Sequence, residues 1–226
     1  MSRGTHTRAT RKPVVVLAGE DASDRLSLRV LLEATCPDMR GRIVEIKDPV
    51  RLRTATETRL AERVRTLARK ARARALLEDA ELACVFIHED LDRVDGVGYP
   101  EARERVQKAL NKELRSAHYV LAVAELEAWL LLFPDAITAF SSSWRVPAAR
   151  RGKDTGRFAD PKKVMKNEVS GPTRSYREST APDIFSKACD LKILDMPNGS
   201  NRSWQRFRED VSSCCTHHLG GGRRPQ

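Results

Sequence analysis

Aromatic side chains are scarce, at 5% of the chain, and cysteine occurs only five times. The cysteines (Cys36, Cys84, Cys189, Cys214 and Cys215) are odd in number and irregular in spacing. That excludes a small disulfide-framed secreted fold and reads as a reduced, cytoplasmic pattern. No apolar run approaches the roughly 20 residues that a membrane span needs. The sequence also lacks a glycine-rich dinucleotide fingerprint, because Gly19 stands alone after the first apolar run. Acid is the minority charge: 31 Asp and Glu face 41 Lys and Arg, a formal +10 over 226 residues. Residues 1–12 are basic and polar with no apolar core, so they read as a flexible arm rather than a secretory signal. At the other end, Cys214 and Cys215 precede His217 and His218. Adjacent cysteines lack the C-x₂₋₄-C separation of structural zinc sites. With Gly220 to Gly222 beyond them, residues 214–226 read as a disordered tail.

What is present is patterned. Val14 to Ala18 and Leu82 to Ile87 are apolar runs of strand length, Arg42 to Lys47 alternates, and His118 to Val123 is a fourth strand. Asp21 to Ala34, Thr58 to Asp79, Pro100 to Arg115 and Ala124 to Phe133 read as helices between and after them. In Thr58 to Asp79, Leu60, Val64, Leu67, Ala71 and Ala75 make the apolar stripe. Alternating β and α over 13–140 predict an α/β fold with a mostly parallel sheet flanked by helices. Residues 141–157 are rich in Ser, Arg and Gly and read as a mobile loop. Short helices are expected at Pro161 to Glu168, Ala181 to Ala188 and Ser203 to Ser212, giving a helical C-terminal extension over 141–213.

Positive charge is concentrated. Arg51 to Arg74 holds nine Lys or Arg, and Arg145 to Arg177 holds ten. Such patches attract polyanions by counterion release. Arg63, Lys70 and Arg74 on the first patch, and Arg150, Arg151, Lys153 and Lys163 on the second, are the candidate nucleic-acid contacts. A solvated arginine-rich helix face is the competing explanation for the first patch.

Against this background the acids stand out. The first strand ends in Gly19-Glu20-Asp21-Ala22-Ser23-Asp24, and the third in His88-Glu89-Asp90-Leu91-Asp92. Parallel strands deliver their C-terminal ends to one edge, where ligands bind. Glu20, Asp24, Asp90 and Asp92 are therefore expected to converge, joined by Glu125 and Glu127 after the fourth strand. Clustered carboxylates repel unless a cation lies among them, and an oxygen-only set suits Mg²⁺ or Mn²⁺. Helix-dipole or turn roles would explain each acid singly. A receiver domain is disfavoured because no fifth strand ends in lysine. A haloacid-dehalogenase-type phosphatase is disfavoured because its acid pair belongs after the first strand.

A strand ending in Gly19-Glu20 with Asp24 four residues on, then a strand ending in Asp90-Leu91-Asp92, resembles a TOPRIM domain. Within that superfamily it is similar to nucleases of the OLD (overcoming lysogenization defect) type. Glu125 to Trp129, Asp160 to Lys163, Tyr176 to Pro182 and Ser203 to Phe207 resemble elements of small stand-alone TOPRIM-like proteins of unassigned role. Asp21 departs from the pattern, in which a small residue follows the glutamate. The resemblance implies Mg²⁺ or Mn²⁺ held by Glu20, Asp24, Asp90 and Asp92, and phosphodiester cleavage in DNA or RNA assisted by Glu20, Glu127 and Lys162. It further implies a role in phage defence and a separate ATPase chain as partner. The alternative is a module that binds nucleic acid or that ATPase without cleaving.

Overall fold

The protein's structure, a computed structural model, describes residues 11–171 and 174–219. Residues 1–10 of the expected arm and 220–226 of the expected tail lie outside the described residues. Strands β1 (Pro13–Ala18), β2 (Ile43–Glu45), β3 (Glu81–Asp90) and β4 (Ala117–Ala122) form one sheet in the order β2-β1-β3-β4, with every pair parallel. The fold is α/β, as the alternating pattern predicts. Helices cover both faces, which is why the central strands are nearly continuous apolar runs.

Period-2 alternation assigns each strand residue to a layer. Val16 and Ala18 of β1, Val85 and Ile87 of β3, and Tyr119 and Leu121 of β4 face helices α2 (Glu57–Leu77) and α3 (Gly98–Glu113). The apolar stripe of α2 is the expected one, with Ala68 added. Val15 and Leu17, Cys84 and Phe86, and Val120 and Ala122 face the other way, onto α1 (Ala22–Thr35). Asp21 caps α1 by accepting from the Asp24 amide at 2.9 Å, and Cys36-Pro37 ends it.

The chain after β4 fills the α1 layer. It contains α4 (Glu127–Leu130), α5 (Pro134–Phe140), α6 (Pro161–Val164), α7 (Ala181–Asp190) and α8 (Arg202–Cys214). Trp144, Tyr176, Phe185, Trp204 and Phe207 share one core with Val15, Leu17 and Phe86. This segment is part of the sheet's own core. The loop read as mobile carries two of its buried side chains, Trp144 and Val146. Gly199, at φ +116, lies so close to the loop that a Cβ would meet the Lys153 carbonyl oxygen at 2.2 Å.

Three expectations are corrected. The helix expected over Ala124 to Phe133 shortens to α4, because Ala124 has φ 59 and breaks the run. Residues 214–219 are ordered: α8 runs through Cys214 and a π-turn, Cys215–Leu219, follows it. Four of the five cysteines are paired, Cys36 with Cys215 and Cys84 with Cys214, leaving Cys189 free. Separations of 179 and 130 residues hide those pairs from any spacing rule. Among the described residues no helix is long and apolar enough to cross a membrane.

Ser203 ties the C-terminal layer to the edge that carries the acids. Its buried hydroxyl accepts from the Val123 amide at 2.9 Å and the Trp129 indole at 2.8 Å, and donates to Asn201 Oδ1 at 2.6 Å. Ser203→Ala leaves two buried donors unpaired, so urea unfolding is expected to show a loss of about 2–4 kcal/mol.

Candidate active site

Strand β3 runs three residues past its apolar stretch, through His88, Glu89 and Asp90. Alternation sends His88 and Asp90 toward the α1 layer and Glu89 toward α2. Glu89 is consumed structurally. Buried, it accepts from the Leu52 amide at 2.9 Å and the Tyr119 hydroxyl at 2.9 Å, and from the Arg53 amide.

His88 is completely buried and stands between two aspartates, with Nδ1 3.4 Å from Asp24 and Nε2 3.5 Å from Asp90. Burial alone would lower its pKa, but Asp24 and Asp90 outweigh burial and lift it to about 9. The ring is an imidazolium at neutral pH. In return, His88 overcomes the burial of Asp24 and, with Lys162 and Arg25, holds that carboxyl below its usual range. Asp90 goes the other way. Its burial outweighs the attraction of His88, and Asp24, Glu127 and Glu20 add repulsion, so its pKa is well above the usual value.

Glu20 approaches from the end of β1 and accepts from the Asp90 amide at 3.3 Å. Burial raises its pKa, with smaller pushes from Glu89 and Asp92. Glu127 closes the group from α4. Burial lifts its carboxyl to about 7, although Lys162 opposes this, and Tyr176 donates to its Oε1 at 3.0 Å. Lys162 of α6 faces Glu127, Glu125 and Glu178, which overcome its burial and raise its pKa. Its ammonium is 3.2 Å from Glu178, and its amide donates to Glu125 at 3.1 Å.

The structure thus brings Glu20, Asp24, Asp90, Glu127 and Lys162 together. Asp92 is at the margin: φ 55 turns it out of the strand, its side chain is 63% exposed, and it pairs with Arg53. The same-side placement expected for Asp90 and Asp92 holds only while the backbone is extended, and β3 ends at Asp90. His88 and Tyr176 are the participants that sequence reasoning did not assign a role, and Glu125, expected among the acids, accepts from the Lys162 amide. The one available signal was His88 itself, two residues before Asp90 at the end of an apolar strand.

The basic residues lie elsewhere or are engaged. Arg63, Lys70 and Arg74 belong to α2, on the opposite face of the sheet. Arg63 donates to the Arg51 carbonyl, Lys70 pairs with Asp48 at 2.9 Å, and Arg74 with Glu78 at 3.4 Å. Arg63 and Lys70 line a cavity of about 310 Å³ between α2 and residues 46–52. Arg150 makes a two-pronged pair with Glu168, at 2.9 and 2.7 Å, and Arg151 donates to the Val146 carbonyl. Lys163 pairs with Asp160 at 3.4 Å, and Lys153 is exposed.

The acids fit a hard divalent cation by donor type. Asp90 Oδ1 is buried and makes no hydrogen bond, and it faces His88 Nε2 at 3.5 Å, an ion-pair distance. The raised carboxyls of Glu20, Asp90 and Glu127 also mark a deficit of positive charge that a cation would relieve. Their oxygens do not gather on one point, however. Among the described residues, the group of ligating atoms lying within 4.8 Å of one another is Cys84, His118 and Cys214. The His88 imidazolium and a cation compete for the same carboxylates.

No family model matches this chain, and neither a curated protein nor a solved structure is found to be similar to it. The site therefore rests on its own chemistry.

The elevated His88 pKa makes a prediction for stability. A histidine raised from 6.5 to about 9 stabilises the fold fully below pH 6.5 and loses that contribution as pH rises through 9. Chemical denaturation in chelator is expected to show a fall on the order of 3 kcal/mol between those limits. His88→Gln should start less stable and show a shallower fall over the same window, the part left to the raised carboxyls of Glu127 and Asp90.

Proposed function

We propose that the chain is a metal-dependent phosphodiesterase of TOPRIM-like type, acting on nucleic acid. The reading rests on one observation: buried Asp90, with its pKa well above the usual value, stands inside a set of acids drawn from the ends of β1, β3 and β4, with His88 as the positive charge facing it. A chain of formal charge +10 surrounds those acids and favours a polyanionic substrate.

Asp90, Glu20 and Asp24 would hold Mg²⁺ or Mn²⁺, which supplies activation of water and stabilisation of the leaving oxygen. The protein groups contribute the rest. Glu127 has a pKa of about 7, so it changes protonation near neutrality and is matched to accept a proton from attacking water. The Tyr176 hydroxyl orients it. Lys162, beside Glu127, offers positive charge to the scissile phosphate. Residues on the basic loop, Lys153 and Lys163 foremost, would hold backbone phosphates without reading sequence. A cytoplasmic setting, where disulfides are rare, belongs to the same reading only with Cys36–Cys215 and Cys84–Cys214 opened to thiols.

A second reading is favoured by His88. Its imidazolium already occupies the position between Asp24 and Asp90 that a cation would take, which is what a non-catalytic module bound to nucleic acid or a separate ATPase would need.

Cleavage of plasmid, single-stranded DNA and tRNA with Mg²⁺ or Mn²⁺ separates the two. Wild type is expected to cleave at least one of them, with a rate rising through pH 7. Asp90→Asn and Glu127→Gln should lower that rate roughly 100-fold or more. Asp92→Asn should lower it far less, because Asp92 is paired with Arg53. Nucleic acid bound but uncut by wild type under all these conditions would establish the non-catalytic module instead.

A further inference from the structure

On the far side of the fold from the acids, at the start of β4, His118 faces the end of α8. One of its ring nitrogens and the sulfurs of Cys84 and Cys214 lie within 4.8 Å of one another. Cys84 and His118 project from neighbouring strands toward the same layer, where the imidazole stacks on Phe86 at 4.8 Å. In the structure the two sulfurs form a disulfide. Three further observations concern the histidine. Its Nδ1 faces Asp210 Oδ1 at 3.6 Å, and Asp210 is itself buried and held by Arg103 at 2.8 Å and Arg206 at 3.2 Å. Its Nε2 is buried and has no hydrogen-bond partner. His218 lies nearby, its pKa lowered by burial and then by the neighbouring His118.

A carboxylate facing one ring nitrogen while the other stays free is the outer arrangement of metal-bound histidine. The acid fixes the tautomer and aims the lone pair. Two thiolates and an imidazole are a donor set for Zn²⁺, with a fourth position left to His218 or water. A cleft of about 430 Å³, lined by His118, Asp210, Gln107, Asn111 and Arg206, opens the histidine to solvent.

We propose that Cys84, His118 and Cys214 form a zinc site when the Cys84–Cys214 disulfide is reduced, so that metal and disulfide alternate as the staple between α8 and β3. Reduction is by a dithiol: two electrons and two protons pass to the two sulfurs, and the reductant's own thiols join as a disulfide. Zn²⁺ then displaces one proton from each thiol. The reaction returns to the disulfide when an oxidised dithiol takes two electrons from the two thiolates and two protons from solvent, and Zn²⁺ is released. The adjacent-cysteine motif of the C-terminal segment thus divides its work. Cys214 serves the metal, and Cys215 pairs with Cys36.

The test uses the full chain reduced with dithiothreitol, freed of it by anaerobic desalting, and titrated with Zn²⁺ alone. Reduction is expected to add one Zn²⁺ per chain to whatever the carboxylates take in the oxidised chain at the same concentration, and uptake below means that added ion. Co²⁺ in place of Zn²⁺ should give a thiolate charge-transfer band, which the carboxylate site cannot produce. His118→Gln should abolish uptake with circular dichroism unchanged. Asp210→Asn should weaken it by about 10- to 100-fold. His217→Ala and Asp90→Asn should leave it unaltered. A reduced wild type that retains no more Zn²⁺ than the oxidised chain overturns the proposal, as does a His118→Gln variant that takes the added ion as tightly as wild type. Uptake that persists in Cys84→Ser but vanishes in Cys215→Ser also overturns it, because the metal would then belong to the other pair.

Discussion

The His88 ring is wholly buried between Asp24 and Asp90, and the arrangement of the acid site follows from keeping it charged there. An imidazolium away from water is expensive unless carboxylates surround it. Asp24 comes from the first turn of α1 and Asp90 from the last residue of β3, so the ion triad fastens a helix to the strand beneath it. With Asp24 and His88 fixed, Asp90 carries the remaining strain. It is buried and repelled by Asp24, Glu127 and Glu20, and the attraction of His88 does not outweigh that burial. Such an imbalance is the kind of feature that marks functional positions.

The C-terminal layer matters to this geometry. Glu127, Lys162 and Tyr176 reach the acids only because the chain after β4 folds back over the α1 face. Ser203 fastens α8 to the backbone just beyond β4, and Trp129 and Trp204 pack at its flank. The staple from Cys214 holds the other end of α8 to β3. One helix therefore braces the sheet at both ends, near the acids and near His118. A change of staple from disulfide to metal would be felt along α8.

The sheet and its main helices were legible because their signals are local. Apolar runs in β1 and β3, and the 3.6-residue stripe of α2, bury the residues that the pattern names. Much of the acid cluster was legible too, since parallel strands bring their ends to one edge. The failures have physical causes. His88, Glu89 and Asp90 look like a loop, yet they extend β3 because their backbone pairs with Val120, Leu121 and Ala122 of β4. Asp92 was grouped with Asp90 on the assumption of an extended backbone, and its φ of 55 turns it away. The C-terminal third carries weak periodicity in short helices, so its shared core with β1 could not be read. The cysteine pairs join residues more than a hundred positions apart.

The central claim is that the carboxylates around Asp90 take a divalent cation at the expense of the His88 proton. The most direct measurement is calorimetric titration of Mn²⁺ into the oxidised, metal-free chain at pH 8, in two buffers of different ionisation enthalpy. Oxidation keeps the Cys84–Cys214 disulfide closed and removes those thiolates from the measurement. The account predicts binding of Mn²⁺ with release of protons, and loss of both in Asp90→Asn. Absence of binding, or binding that Asp90→Asn leaves intact, would contradict it.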